Sequence, residues 1–239
     1  MNAVGVDACR KGWFAVCLES DERWAIEIFE SIENLWNRFQ KDSLILIDIP
    51  IGLPDSGKRR CDVNARKILK QRASSVFPVP CRQAVHANTY VNACRLNKKL
   101  LDVKLSIQTW NISGKIREVD NLLLSNTNGR RSVRESHPEI CFWALADGRP
   151  MRYYKKTAHG FSERIKILKQ AYPSSPEIVT TALTAYRRKD LARDDILDAT
   201  VLAITARAAS EGIVTIPKQP QKDPTGLSME IVYARTGRL

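Results

Sequence analysis

The chain has 239 residues, 44% of them hydrophobic, which fits one large domain or a domain with an inserted lobe. Lys and Arg outnumber Asp and Glu by 38 to 26, a net charge of +12 that favours a polyanionic partner. No apolar run reaches the roughly 18 residues of a membrane-spanning helix, and a strand starts at once, which leaves no room for a signal peptide.

The first third reads clearly. Ala3–Asp7, Gly12–Leu18 and Trp24–Phe29 are short apolar strands, and the brief polar turns between them imply an antiparallel meander. Ser31 is placed to cap a helix that puts Ile32, Leu35, Trp36 and Phe39 on one face. Leu44–Asp48 is apolar almost throughout, as a central strand buried on both faces should be. The middle reads as helices at 62–74, 83–97 and 112–124, with an extended stretch at 75–82 imposed by Pro78 and Pro80. A strand at 129–135 and a helix opened by Pro138 follow, then helices at 161–172 and 176–188. Arg193–Ser210 has little polar surface after its first turn and should be buried. Strand candidates at 212–216 and 229–234 close the pattern.

Asp7 and Asp48 end apolar strands, and Asp195 and Asp198 lie one helical turn apart at the start of the apolar helix. A carboxylate at the end of a buried strand is costly unless it is paired or bound to a cation. Together the four are predicted to hold Mg²⁺ or Mn²⁺ and to work on phosphate. The alternative for the helix acids is capping and the helix dipole, and Asp194 is given that role. Glu135 is a further candidate ligand. His137, beside it at a strand-to-helix junction, is either a proton shuttle or a structural hydrogen-bonder. Glu139 is assigned to the first helical turn.

Gly52–Arg59 has the outline of a phosphate-binding loop, but Arg59 stands where a hydroxyl residue should and Pro54 removes a backbone N–H. A basic loop touching nucleic-acid phosphates suits it better. Lys58, Arg59, Arg60, Arg66, Arg134, Lys155 and Lys156 are the candidate nucleic-acid contacts, against the alternative of a solvated helix face. The six cysteines have neither C-x-x-C spacing nor a flanking histidine pattern, so reduced thiols in a cytoplasmic protein are expected rather than a zinc site.

The β-β-β-α-β start, with Asp on strands one and four and a late acidic helix, resembles the RNase H-like fold. More specifically, the chain resembles the family called domain of unknown function 429, whose members are predicted nucleases. The resemblance is carried by Val4-Gly5-Val6-Asp7, Ile47-Asp48-Ile49-Pro50, Arg60-Cys61-Asp62 and Ser75-Val76-Phe77-Pro78, and by Glu135-Ser136-His137-Pro138-Glu139, Lys155-Lys156-Thr157 and Asp194-Asp195-Ile196-Leu197-Asp198-Ala199. It implies acids on strand one, strand four and the last helix, places that Asp7, Asp48 and Asp198 match. The first helix offers only Glu33, near its start, which departs from cellular RNase H and suits a resolvase-like arrangement.

The expectation is a single α/β domain: a mixed sheet of three antiparallel strands followed by parallel ones, flanked by helices, with a mostly helical insertion at about 60–130. The expected function is metal-dependent phosphodiester hydrolysis on DNA or RNA, with no membrane partner. The rivals are a nucleotide-dependent phosphotransferase of the related actin-like superfold and a non-catalytic nucleic-acid-binding module.

Overall fold

The computed structural model describes residues 1–235. Three strands, β1 (Asn2–Cys9), β2 (Gly12–Leu18) and β3 (Trp24–Phe29), form the antiparallel meander. Helix α1 (Ile32–Phe39) then returns the chain, with its first turn capped by the Ser31 hydroxyl, which accepts from the Asn34 N–H at 3.2 Å. The return is what lets β4 (Ser43–Ile47) lie parallel to β1.

Between β4 and the next strand come α2 (Arg60–Leu69), a 3-10 turn over Lys70–Ser75, α3 (Arg82–Val85), α4 (Tyr90–Leu101), α5 (Ile107–Ser125) and the single turn α6 (Gly129–Ser132). Strand β5 (Val133–Glu135) pairs parallel with β4, and the five-stranded order is β3-β2-β1-β4-β5. This is the expected mixed sheet, with strands one to three antiparallel and strand four parallel to strand one. The chain continues through α7 (Pro138–Leu145), α8 (Ala158–Ala171), α9 (Ser175–Ala185) and α10 (Arg193–Ala208). It closes with the hairpin of β6 (Ile213–Lys222) and β7 (Ser228–Ala234), which joins the end of β5 through a bridge between Ser136 and Val232.

The period-two alternation of the strands divides the core into two layers. Ala3, Phe14, Val16, Leu44 and Leu46 face α10 and the helices around it. Val4, Val6, Trp13, Ala15, Ile45 and Ile47 face α1 and the α5 residues Ile116, Val119 and Leu123. By the same alternation Asp7 and Asp48 fall on the α10 side. Helix α10 lies directly on β1: a methyl group at Gly5 would sit 2.1 Å from both Ala199 O and Ala203 N. A smaller cluster of Cys81, Ala84, Ala87, Ala93 and Leu105 holds α3, α4 and the start of α5 together.

Several boundaries differ from the expectation. The helix expected at 83–97 is two, broken at 86–89, because the Thr89 hydroxyl caps α4 by accepting from Asn92 N. The strand expected at 129–135 is a helical turn and only three strand residues. Strand β6 runs past Pro217 and Pro220 to Lys222, with an irregularity between Ile216 and Gln221 that absorbs the prolines.

Candidate metal centre

The site lies at the C-terminal ends of the parallel strands. The Asp48 N–H donates to Val6 O at 3.0 Å, and Ser136 N–H donates to Ile47 O at 3.0 Å, so the parallel pairing of β1, β4 and β5 ends at one level, while β1 runs on to Cys9 against β2. Asp7 stands one residue beyond Val6, which pairs with Ile47, and Asp48 follows Ile47. Asp198 is set over them by α10. Asp7, Asp48 and Asp198 each offer one carboxylate oxygen within 4.8 Å of the others. Asp7 and Asp198 are buried and Asp48 is half-buried.

That gathering is electrostatically costly. Burial first, then Asp48, Asp198 and Asp195, push the Asp7 carboxyl well above the ordinary carboxylate range. Burial lifts Asp198 to about 6 even though Lys155 pulls the other way. Burial also raises Asp48, offset in part by His137 and Lys155. Lys155 grips Asp198 Oδ2 and lies 3.7 Å from Asp194 Oδ2. Burial disfavours its ammonium, but Asp198 and Asp7 more than compensate, so its pKa is raised. One lysine does not complete the site: Asp198 Oδ1 is buried and has no hydrogen-bond partner among the described residues. An all-oxygen donor set with an unpartnered buried oxygen fits a hard divalent cation.

Lys155 is held in place by its own segment. Arg72 donates to Met151 O at 2.8 Å and stacks on Tyr154. Behind it, Gly160 admits the Tyr154 carbonyl, which a methyl group there would meet at 1.9 Å. Arg72 therefore points inward, although its sequence neighbours read as a solvated basic face.

The remaining candidates divide. Asp195 caps α10: its Oδ2 accepts from Ala192 N at 3.0 Å, so it borders the cluster without lending an oxygen to it. The capping role expected of Asp194 thus belongs to Asp195, and Asp194 faces Lys155 and Lys156. Glu135 is not beside the cluster. Its Oε2 accepts from Ile51 N at 2.6 Å and pairs with Arg59, which corrects its place as a metal ligand. Arg59 is correspondingly not a nucleic-acid contact. It is fully buried; burial disfavours its charge, but Glu135 and Asp62 drive its pKa upward. Arg134 is paired with Glu230 at 2.7 Å, and Arg66 donates to Val76 O at 2.6 Å while staying at the surface. Lys58, Arg60 and Lys156 are exposed.

His137 caps α7: its Nδ1 accepts from Glu139 N at 3.2 Å, and its Nε2 faces Ser75 O at 3.3 Å. These two contacts occupy both ring nitrogens. Glu139 is the residue that sequence reasoning placed too modestly. It is buried against Arg164, its Oε2 has no partner among the described residues, and its charge raises both Asp48 and Asp198. No pattern within α7 signals this, since its partner lies 25 positions away.

All six cysteines are free thiols, and no described helix is long and apolar enough to cross a membrane. Neither curated proteins nor solved structures gave a match. The family model described as "Protein of unknown function (DUF429)" matches residues 5–222, from within β1 to the last residue of β6, and so takes in the carboxylate cluster, Lys155 and the Arg59–Glu135 pair. The chain belongs to the DUF429 family.

Proposed function

We propose that the protein is a divalent-metal-dependent nuclease that hydrolyses phosphodiester bonds in nucleic acid. One observation carries this reading: Asp7, Asp48 and Asp198 converge at the strand ends, with Asp198 Oδ1 buried and unpartnered. When bound, Mg²⁺ or Mn²⁺ supplies Lewis acidity toward a phosphoryl oxygen and lowers the pKa of a water. The three aspartates are the residues that would hold it.

The other side chains have separate tasks. Lys155 takes up Asp198 Oδ2, leaving Oδ1 for a cation, and reduces the negative charge an incoming phosphate must face. Asp195 fixes the first turn of α10 and so the position of Asp198. With both nitrogens engaged, His137 orients the start of α7 rather than shuttling a proton. Lys58, Arg60 and Lys156 are exposed cations able to meet a sugar-phosphate backbone.

The test is cleavage of labelled single- and double-stranded DNA and RNA with Mg²⁺, Mn²⁺ or EDTA, alongside calorimetric titration of Mn²⁺. Expected are metal-dependent products from the wild type and their loss, together with Mn²⁺ binding, in folded Asp7→Asn and Asp198→Asn. Full activity in Asp7→Asn, or no cleavage of any substrate by metal-loaded wild type, would overturn the reading.

A further inference from the structure

A cavity of about 480 Å³ opens between α2, the extended Phe77–Pro80 segment and the junction of α4 with α5. None of the residues lining it belongs to the carboxylate cluster. Its size falls within the roughly 300–1,000 Å³ of small-molecule sites.

Its lining is divided by chemistry. Phe77, Val79, Leu101 and Leu105 make an apolar wall, with Phe77 half-buried so that part of its ring stays open to a ligand. Lys58, Arg66, Lys67 and Lys104 line it from three separate stretches of chain, and all four are exposed. Buried Arg59 underlies it, its Nε and Nη1 without hydrogen-bond partners and its Nη1 3.6 Å from Asp62 Oδ1. Asp62 is the only carboxylate among the lining residues, and Ser106 and Thr109 add hydroxyls.

Each part restricts the occupant. Four exposed cations, with Arg59 beneath them, against one carboxylate select an anion, and a multiply charged one over a singly charged one. The ring of Phe77 and the apolar wall select a flat aromatic body. The Ser106 and Thr109 hydroxyls bond each other and Asp62 is paired with Arg59, but their oxygens keep lone pairs that can accept hydrogen bonds from an amino-substituted ring. We propose that this cavity binds a nucleoside monophosphate, with the base against Phe77 and the phosphate toward Lys67 and Lys104. The proposal does not depend on the nuclease reading, since it asks nothing of the carboxylate cluster or of a metal.

The test is calorimetric titration of the whole protein with AMP in EDTA at low salt. Expected is saturable binding at one site. Adenosine, which lacks the phosphate, and ribose 5-phosphate, which lacks the base, should each bind at least about tenfold more weakly, because each forfeits one of the two recognition elements. Lys67→Glu and Lys104→Glu, both exposed and on different elements, should each weaken AMP about tenfold with unchanged melting temperature. Asp7→Asn should bind AMP as the wild type does, and so separates this site from the carboxylate cluster. Several results would overturn the proposal: no AMP binding, octanoate or inorganic phosphate binding as tightly as AMP, or indifference to both lysine substitutions. Binding of a short oligoadenylate with none of AMP would likewise refute a free-nucleotide site and turn the cavity into a subsite for a strand.

Discussion

Single residues carry the electrostatics of this molecule, and their titration gives it a pH signature. Burial pushes the Asp198 carboxyl up to about 6 and lifts Asp7 well above the ordinary carboxylate range. A carboxyl whose folded pKa is raised adds stability that is fully present below its unfolded value of about 3.9 and is lost as pH rises through the folded value. The ionised cluster is therefore a burden at neutral pH that a bound cation would relieve. Mn²⁺ should raise the melting temperature much more at about pH 7.5 than at about pH 5, and equal shifts at both would contradict this. Arg59 makes a second case. Lys58-Arg59-Arg60 reads as one basic patch that could be replaced together at little cost, yet Arg59 is buried against Glu135 and its neighbours are exposed. Arg59→Ala leaves a buried carboxylate unpaired and should lose about 3–5 kcal/mol in denaturant unfolding, whereas Lys58→Ala should change stability by less than about 0.5 kcal/mol. The sequence could not distinguish the two, because Arg59's partner lies 76 positions ahead and only the fold brings it near. Asp194 and Asp195 were similarly ambiguous: both sit in a helix's first turn, and the roughly 100° of rotation between adjacent helical residues decides which one caps.

The elements were legible wherever burial alone shaped them. β1 to β4 and α10 are apolar runs whose periodicity survives any tertiary detail. α3, β5 and the far half of β6 were not, since a four-residue helix, a three-residue strand and a strand crossing two prolines are all set by their neighbours. The contact of α10 with β1 belongs to this scale and makes a sharp prediction. Gly5→Ala forces a methyl onto the helix backbone at Ala199 and Ala203, so α10 must lift and Asp198 must move from Asp7. A loss of at least about 1–3 kcal/mol is expected, together with weaker Mn²⁺ binding by titration. Gly114→Ala is the control: nothing lies within 4 Å of the added methyl inside α5, and a gain of about 0.4–1 kcal/mol is expected. Equal effects of the two substitutions would show that the close approach does not govern the site.

At the scale of the whole molecule, the net charge of +12 remains the one feature read from composition that bears on a partner. Part of the basic population is spent internally on Glu135, Glu139, Glu230 and Asp198. What is left at the surface should still attract a polyanion. Affinity for DNA or RNA, followed by fluorescence anisotropy, should fall by orders of magnitude between about 50 and 200 mM salt. Replacing Lys58, Arg60 and Lys156 by Ala should flatten that dependence without changing the melting temperature; no binding even at low salt would remove nucleic acid as a partner. The joint placement of Asp7, Asp48 and Asp198 was legible because each lies near the end of an apolar strand or in the first turns of the apolar helix, while the surroundings that tune them, Lys155 and Glu139, were legible only as a basic surface residue and a helix-turn residue. The three aspartates also come from distant points along the chain, the third of them on α10. A polypeptide leaves the ribosome N-terminus first, so Asp7 and Asp48 emerge long before Asp198. Until α10 docks, the cluster lacks its third carboxylate, so the donor set is complete only once the last long helix is in place.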